Sequence, residues 1–274
     1  MGEIRLGTSG YSFEHWKGTV YPSGIKNSEM FAYYIDQFRL NSVEINYTYY
    51  KMPSSNVFTS HVQRSPKDFQ FTVKLFSGIT HEPWMGSADG QLDHELCFEF
   101  LDGIRPLIES GKLGCLLAQF PPHMKPSDQA WAYLEGLYEA FSRYPLVYEF
   151  RNKRWISDDT FKALRQRGIG FCAVDEPHID PLMPLVPEVT SSIAYLRLHG
   201  RSEKWFSDSA LRYDYLYSED ELKSFLPTIH QMQSKSETLY IQFNNCHAGS
   251  AVRNVKMMQY LLDLDVPPLQ GVLF

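Results

Sequence analysis

Eight short runs rich in β-branched and aromatic residues alternate along the chain with longer amphipathic segments. Runs of this length and composition predict β-strands, and the helical periodicity of the segments between them predicts α-helices. Regular alternation of eight strands with helices favours a closed, parallel (β/α)8 barrel of the TIM type, with an open doubly wound sheet as the alternative. The predicted strands are EIRLGTS, SVEINYTY, FQFTVKLF, LGCLLAQF, LVYEFR, GFCAVDEP, IAYLRLHG and LYIQFNN.

The predicted helices leave one gap, which makes the expected barrel irregular. No helical segment lies between the sixth and seventh strands, where EPHIDPLMPLVPEVTS is rich in proline and predicts an irregular connection. We therefore predict a single α/β barrel domain over residues 1–274, in which the sixth helix is missing or replaced by a proline-rich loop. The predicted helices cover residues 28–39, 54–64, 91–110, 127–143, 157–167, 219–235 and 249–263.

The composition is that of a globular protein and restricts the expected partners. The chain is 43% hydrophobic and 21% charged, and its formal net charge of −6 weighs against general binding of duplex nucleic acid. No apolar run approaches the roughly 20 residues of a membrane helix, so we expect no membrane partner. The opening MGEIRLGTSG runs directly into a strand, and the four cysteines form no C-x-x-C pair. We accordingly expect no signal peptide, buried free thiols and a cytoplasmic location.

Side-chain alternation places polar groups together on one face of most predicted strands. In the seventh strand, Leu196 and Leu198 fall on one face, and Arg197 and His199 fall on the other. Because the helices of a barrel cover the apolar face, we expect the polar face to point toward the barrel axis. Ten residues near the strand ends are predicted to point inward: Glu44, Asn46, Lys74, Gln119, Glu149, Arg151, Asp175, Arg197, His199 and Asn244.

This polar cluster is the candidate site, because active sites of such barrels lie where the strands end. Isolated buried charges cost several kcal/mol, so the cluster needs internal partners or a ligand, and an ion-pair network that only fills the barrel is the structural alternative. We assign candidate catalytic roles to titratable residues in the cluster. They are Glu44, Lys74, Glu149, Asp175 and His199.

The candidate ligand contacts combine guanidinium groups, amides and aromatic rings. The guanidinium groups of Arg151 and Arg197 match the geometry of phosphate or carboxylate, and His199 is suited to proton transfer. Aromatic side chains in the long loops after the first, second and seventh strands suit stacking on sugars or bases, although they equally suit packing of the loops. The predicted ligand-binding residues are Trp16, Asn46, Tyr47, Gln119, Arg151, Arg197, Arg201, Asn244 and Asn245.

Several motifs in a fixed order resemble one known family. The segments GTSGYSFEHWKGTVYP, VEINYTYY, FTVKLFSGITH, LAQFPP, YEFRNKRW, AVDEP, YLRLHGR and FNNCHAGSAVRN are similar to the YecE-like family, also called domain of unknown function 72. The resemblance extends from residue 4 to about residue 262. It implies a TIM-like β/α barrel and brings no established activity with it.

Three hypotheses for function follow from these residues. The leading one is a pocket for a small anionic ligand, phosphorylated or nucleotide-like, with hydrolysis as the first reaction to test. A metal-dependent sugar isomerase or lyase is the second, although the cations beside the carboxylates weigh against a bound metal, and the sequence identifies no cofactor. The third is a non-catalytic module that binds a metabolite or single-stranded nucleic acid.

Overall fold

Eight parallel strands form one sheet that curls into a barrel. The computed structural model describes residues 1–86, 90–180, 182–208 and 211–264. The strands follow the order β1-β8-β7-β6-β5-β4-β3-β2, and every neighbouring pair in that order is parallel. This order confirms the predicted barrel. The strands are β1 Glu3–Thr8, β2 Ser42–Ile45, β3 Gln70–Lys74, β4 Leu113–Gln119, β5 Leu146–Glu149, β6 Gly170–Asp175, β7 Ile193–Leu198 and β8 Thr238–Phe243.

Helices connect the strands at nearly all the predicted places. The segment predicted as one helix over 219–235 divides at Phe225, because Pro227 fits only the first turn of a helix. Of the described residues between β6 and β7, none is helical, which confirms the irregular connection. The helices are α1 Asn27–Phe38, α2 Ser55–Arg64, α3 Ser77–Thr80, α4 His94–Glu109, α5 Asp128–Phe141, α6 Asp158–Arg167, α7 Glu219–Ser224, α8 Leu226–Ser234 and α9 Ser250–Leu261.

Apolar side chains on the outer face of the strands pack against these helices. On β3, the ring of Phe71 lies 5.9 Å from that of Phe31 in α1. On β6, Phe171 packs edge-on against Phe161 of α6 at 5.2 Å. All four cysteines are buried free thiols, as predicted. Among the described residues, no helix is both long enough and apolar enough to cross a membrane.

The barrel closes between β1 and β2 largely through side chains. Both strands are fully described, and their only bridge joins Ser9 to Glu44. The buried hydroxyl of Tyr34 accepts a hydrogen bond from the backbone N–H of Thr8 at 3.0 Å and donates one to the carbonyl of Ser42 at 3.1 Å. Tyr34 therefore replaces a missing rung of the β1–β2 ladder.

Replacing Tyr34 by Phe tests this closure. The variant leaves the buried Thr8 N–H without a partner, so we expect the free energy of unfolding to fall by about 1–3 kcal/mol. Urea denaturation measures the change. Tyr33→Phe is the matched control, since the Tyr33 hydroxyl makes no hydrogen bond to any described residue. Equal stability of the two variants would show that the Tyr34 hydroxyl does not hold the seam.

Candidate functional site

The centre of the barrel is a fully buried ion-pair bridge. Arg197 on β7 places its Nη1 2.6 Å from Oε2 of Glu149 and its Nη2 2.6 Å from Oε1 of Glu44. The hydroxyl of Tyr195 donates to the other oxygen of Glu44 at 2.7 Å. Both carboxylates have no solvent exposure, and the Arg197 side chain is 2% exposed. The bridge ties β2, β5 and β7 together across the barrel axis.

A second layer of polar contacts lies closer to the C-terminal ends of the strands. Arg151 places its Nε 2.5 Å from Oε1 of Glu149 and its Nη1 2.6 Å from Oε2 of Glu176. Its Nη2 lies 3.0 Å from Nε2 of His199, and the amide of Asn244 lies 2.8 Å from the other ring nitrogen. Arg151 therefore contacts Glu149 at the end of β5, Glu176 just after β6 and His199 just after β7.

The electrostatics of these layers keep Glu149 charged and His199 neutral. Burial would raise the pKa of Glu149, but Arg151 and Arg197 hold it well below its usual range. Burial, with Arg151 second, lowers the pKa of His199 to about 3. Because a guanidinium only donates, Nε2 of His199 must accept from Arg151, and the proton of the neutral ring then lies on Nδ1. Asn244 accepts that proton only with its amide turned so that Oδ1 takes the place of Nδ2 beside Nδ1. Both ring nitrogens are thus engaged.

The inward orientation predicted for Asp175 is wrong. Strand register pairs Asp175 with the helix-facing Leu198, and it pairs Val174 with the inward-facing Arg197. Asp175 instead lies 2.7 Å from Nη2 of Arg201 and accepts from the hydroxyl of Tyr217 at 2.6 Å. Asp175 can point outward although it is polar, because Arg201 and Tyr217 from the loop after β7 cover it and donate hydrogen bonds to it.

Three predicted ligand contacts also lie outside the barrel interior. Trp16 has no exposed surface and donates from Nε1 to the carbonyl of Cys246 at 2.7 Å, which joins the loops after β1 and β8. Asn245 is equally buried and donates to the carbonyl of Tyr215. Arg201 pairs with Asp175 and therefore also lies outside the barrel interior. The burial of Trp16 and Asn245 leaves them no face for a ligand, so a contact role for them has no support in the structure.

Tyr47 keeps part of its surface but faces away from the ion pairs. It is 37% exposed and its ring stacks on Phe58 of α2 at 6.2 Å. The predicted stacking role for Tyr47 stays a prediction.

The remaining inward residues form a cup at the strand ends. Glu176 replaces Asp175 in it, and register places Gln119 beside Glu149. Sequence reasoning misses Glu176 because it follows the end of β6, and it misses Tyr195 because that ring is typical of a core aromatic. Extending the alternation from Arg197 backwards along β7 points to Tyr195. The cup consists of Glu44, Asn46, Lys74, Gln119, Glu149, Arg151, Glu176, Arg197, His199 and Asn244.

Three residues of the cup, one just after β2 and the last residues of β3 and β4, have no polar partner among the described residues. We call Asn46, Lys74 and Gln119 the polar arc. The Oδ1 atom of Asn46 is buried without a hydrogen bond, and neither Lys74 nor Gln119 makes a side-chain hydrogen bond or ion pair with any described residue. All three are half-buried. The arc therefore has free hydrogen-bonding groups on the side of the cup opposite the ion pairs of Arg151.

Lys74 carries the amine of the cup, and the pKa of this amine is strongly lowered. Its Nζ lies 4.1 Å from the centre of the Tyr49 ring, and burial, followed by the charge of Arg197, lowers its pKa to about 7. The Tyr49 ring in turn meets the ring of His81 edge-on at 4.8 Å. The cup therefore contains an amine that is partly neutral at pH 7 and lies against the ring of Tyr49.

The carboxylates of the cup are not arranged as a metal centre. Within the described ranges, no three His, Cys, Asp or Glu side chains are placed to share a metal ion. The oxygens of Glu44 and Glu149 already face guanidinium nitrogens. The residues present therefore do not fit the predicted metal-dependent alternative.

Comparison with known proteins identifies the family. The model of the family described as "Protein of unknown function DUF72" matches residues 5–271. The chain belongs to the DUF72 family. A crystal structure of a DUF72 protein from Thermotoga maritima is 40% identical, with a TM-score of 0.89 over 95% of this chain and 99% of that one. An Enterococcus faecalis DUF72 structure is 28% identical with a TM-score of 0.82, over 99% of each chain.

A curated relative extends the DUF72 comparison. The UPF0759 protein YunF of Bacillus subtilis is 27% identical over 279 residues, which covers 96% of this chain and 95% of YunF. These matches confirm the sequence resemblance and the barrel. They assign no ligand to the DUF72 cup.

The central bridge predicts a large effect for Arg197→Met. The variant leaves Glu44 buried without a counter-ion and Glu149 paired with Arg151 alone, so we expect a loss of about 3–5 kcal/mol in the free energy of unfolding at pH 7. Arg105→Met is the control, because Arg105 pairs with Asp102 on the surface of α4 and exposed pairs contribute about 0–1 kcal/mol. Urea denaturation compares the two. A variant at Arg197 as stable as the control would contradict the buried bridge.

Lys74→Met is expected to alter how stability depends on pH. The folded-state pKa of about 7 lies below the unfolded value of 10.5, so between these values the unfolded chain binds more protons and wild-type stability rises with pH. The variant should therefore gain most below pH 7, and its advantage should shrink by about 1.4 kcal/mol per pH unit above that. Urea denaturation at acidic and alkaline pH measures it. Exposed Lys51→Met should show no such trend, and a pH-independent Lys74→Met difference would refute the shift.

Proposed function

We propose that the cup binds a small anionic ligand and that Lys74 contacts its phosphate or carboxylate group. One observation carries this proposal: of the three cations in the cup, Lys74 alone has no carboxylate partner among the described residues. Arg151 and Arg197, which the sequence favours as ligand contacts, are each paired with two glutamates. We therefore assign the contact with the anion to Lys74 rather than to Arg151 or Arg197.

The polar arc supplies what such a ligand needs beyond charge. Asn46 and Gln119 lie on the strands on either side of Lys74, and their amides have unused hydrogen-bonding groups. Arg197 is the charged neighbour with the largest effect on Lys74, and it disfavours a second cation there. An anion would relieve that repulsion. Binding should therefore restore the proton on Lys74.

A metabolite sensor without turnover is the second candidate. It is favoured by the engagement of the acid–base groups on the network side of the cup, where His199 is neutral with both nitrogens bonded and Glu149 is ion-paired to two arginines. Hydrolysis through His199 stays a prediction, as do a nucleotide-like ligand and a cytoplasmic location. Incubation of the protein with a bound ligand, followed by product analysis, separates an enzyme from a sensor.

Proton-linked binding tests the proposed function. Glycolate and sulfate stay ionised over the working range, so their dissociation constants should rise about tenfold per pH unit above pH 7 as Lys74 loses its proton. Thermal-shift titration and calorimetry measure the affinity, and calorimetry in buffers of different ionisation enthalpy measures the proton uptake.

Two variants sharpen the test. Lys74→Met should abolish anion binding, and Lys74→Arg should keep it with a flat pH profile, since guanidinium remains charged. Lys51→Met leaves the cup unchanged and should bind as wild type does. Undiminished binding by Lys74→Met, or no response of the wild type to either anion, would overturn the proposal.

A further inference from the structure

We infer that Lys74 is a nucleophile that forms an iminium with the carbonyl carbon of a small 2-oxo acid or aldehyde acid. This rests on the proposed function, because the carboxylate next to the carbonyl is the anionic group that the cup would bind. A lysine amine acts in this way when it is desolvated or lies beside another cation. Lys74 meets both conditions: it is on the inner face of β3, half-buried, and close to Arg197.

Charged and titratable groups from several elements surround the Lys74 amine. Arg197 and Arg151 disfavour its protonation, whereas Glu149 and Glu44 favour it, and the ring of Tyr49 lies against Nζ. Burial adds to the effect of the arginines, and the sum lowers the pKa to about 7. A substantial fraction of the amine therefore carries a free lone pair at neutral pH. The groups around it are Glu44 on β2, Tyr49 after β2, His81 after α3, Glu149 on β5, Arg151 after β5, and Arg197 on β7.

Comparison with two other lysines shows that burial alone does not produce this situation. Lys112 donates to the carbonyl groups of Val62 and Ser65 at 3.0 and 2.8 Å, and Lys256 donates to the carbonyl of Phe38 at 3.1 Å. Both amines have lowered pKa values, yet both hold backbone together. Lys74 has no such bond to any residue that the structure describes, and it lies at the end of β3, on the cup side of the barrel. Its amine is therefore free to react.

The step balances without any cofactor. In the bound complex, the ammonium of Lys74 first gives its proton to solvent. The lone pair of the neutral Nζ then forms a bond to the carbonyl carbon, and the carbonyl oxygen receives the proton that the attacking nitrogen releases. One further proton from solvent lets that oxygen leave as water, and the nitrogen lone pair completes the C=N bond. The product is an iminium cation beside the ligand carboxylate, so the ion pair between nitrogen and ligand is kept. The free amides of Asn46 and Gln119 are placed to hold the carboxylate.

Reductive trapping of the full chain tests the inference. Glyoxylate, the smallest aldehyde acid, is added at neutral pH with cyanoborohydride, which reduces an iminium to a stable secondary amine. Peptide mapping by mass spectrometry then measures modification at each lysine. An ordinary lysine is neutral in roughly one molecule per thousand at pH 7, so we expect Lys74 to react on the order of a hundred-fold faster than exposed Lys51. It should also outpace buried Lys256, which lacks the cup.

Glycolate, the alcohol that matches glyoxylate in size and charge, separates this inference from the proposed function. It should compete with trapping at Lys74 and leave reaction at Lys51 unchanged. Lys74→Arg should bind glycolate but lose the fast modification. If glycolate binds through Lys74 while glyoxylate modifies Lys74 no faster than Lys51, the nucleophile is refuted and the anion site stands. If Lys74 reacts fast but glycolate neither binds nor competes, the amine chemistry stands and the anion site falls.

Discussion

The buried bridge from Arg197 to Glu44 and Glu149 determines much of what the rest of the barrel can do. It places three charges where water cannot solvate them, and the energetic cost of burying them is offset only if every partner stays in position. It also compensates for weak closure of the sheet: β1 and β2 share a single bridge, and Arg197 attaches β2 to the opposite side of the barrel. A purely apolar filling would hold the strands as well. The polar filling makes sense as a support for chemistry at the layer above.

That upper layer is divided into two unlike halves. On β5 to β8, Arg151 binds Glu149, Glu176 and His199, so its hydrogen-bonding groups are largely satisfied. At the ends of β2 to β4, the polar arc of Asn46, Lys74 and Gln119 makes no side-chain hydrogen bond or ion pair within the described part of the chain. A buried polar atom without a partner, such as Oδ1 of Asn46, is uncommon in folded proteins and calls for an explanation such as a catalytic role or a bound water or ion. A ligand can therefore form the most new hydrogen bonds at the polar arc. The side of the cup that contains Arg151 sets the electrostatic potential at the ligand.

The sequence predicts the barrel well because strand alternation and helix periodicity are local. The eight strands, the missing sixth helix and the inward set around Arg197 all follow from patterns of a few residues. Asp175 shows where this reasoning fails. Its polarity argues for the interior, but register with Leu198 turns it outward, and Arg201 and Tyr217 arrive from distant sequence to satisfy it.

Trp16 fails as a ligand contact for a similar reason. Its partner is the carbonyl of Cys246, which lies at the other end of the chain, and no local pattern reports such a contact. Pairing of arginines with particular glutamates is equally non-local. The sequence therefore identifies which residues gather in the cup, but it cannot tell which of them remain free.

The reactivity of Lys74 depends on the bridge beneath it. Glu44 and Glu149 keep Arg197 charged and fixed, and the charge of Arg197 then disfavours a proton on Lys74. The two glutamates alone would have the opposite effect, since each favours the ammonium form. Burial contributes most to the lowered pKa of Lys74, and Arg197 adds to it against the opposing effect of the glutamates. A bridge built from apolar residues would fill the same volume but would remove the contribution of Arg197, and only burial and Arg151 would then lower the pKa of Lys74.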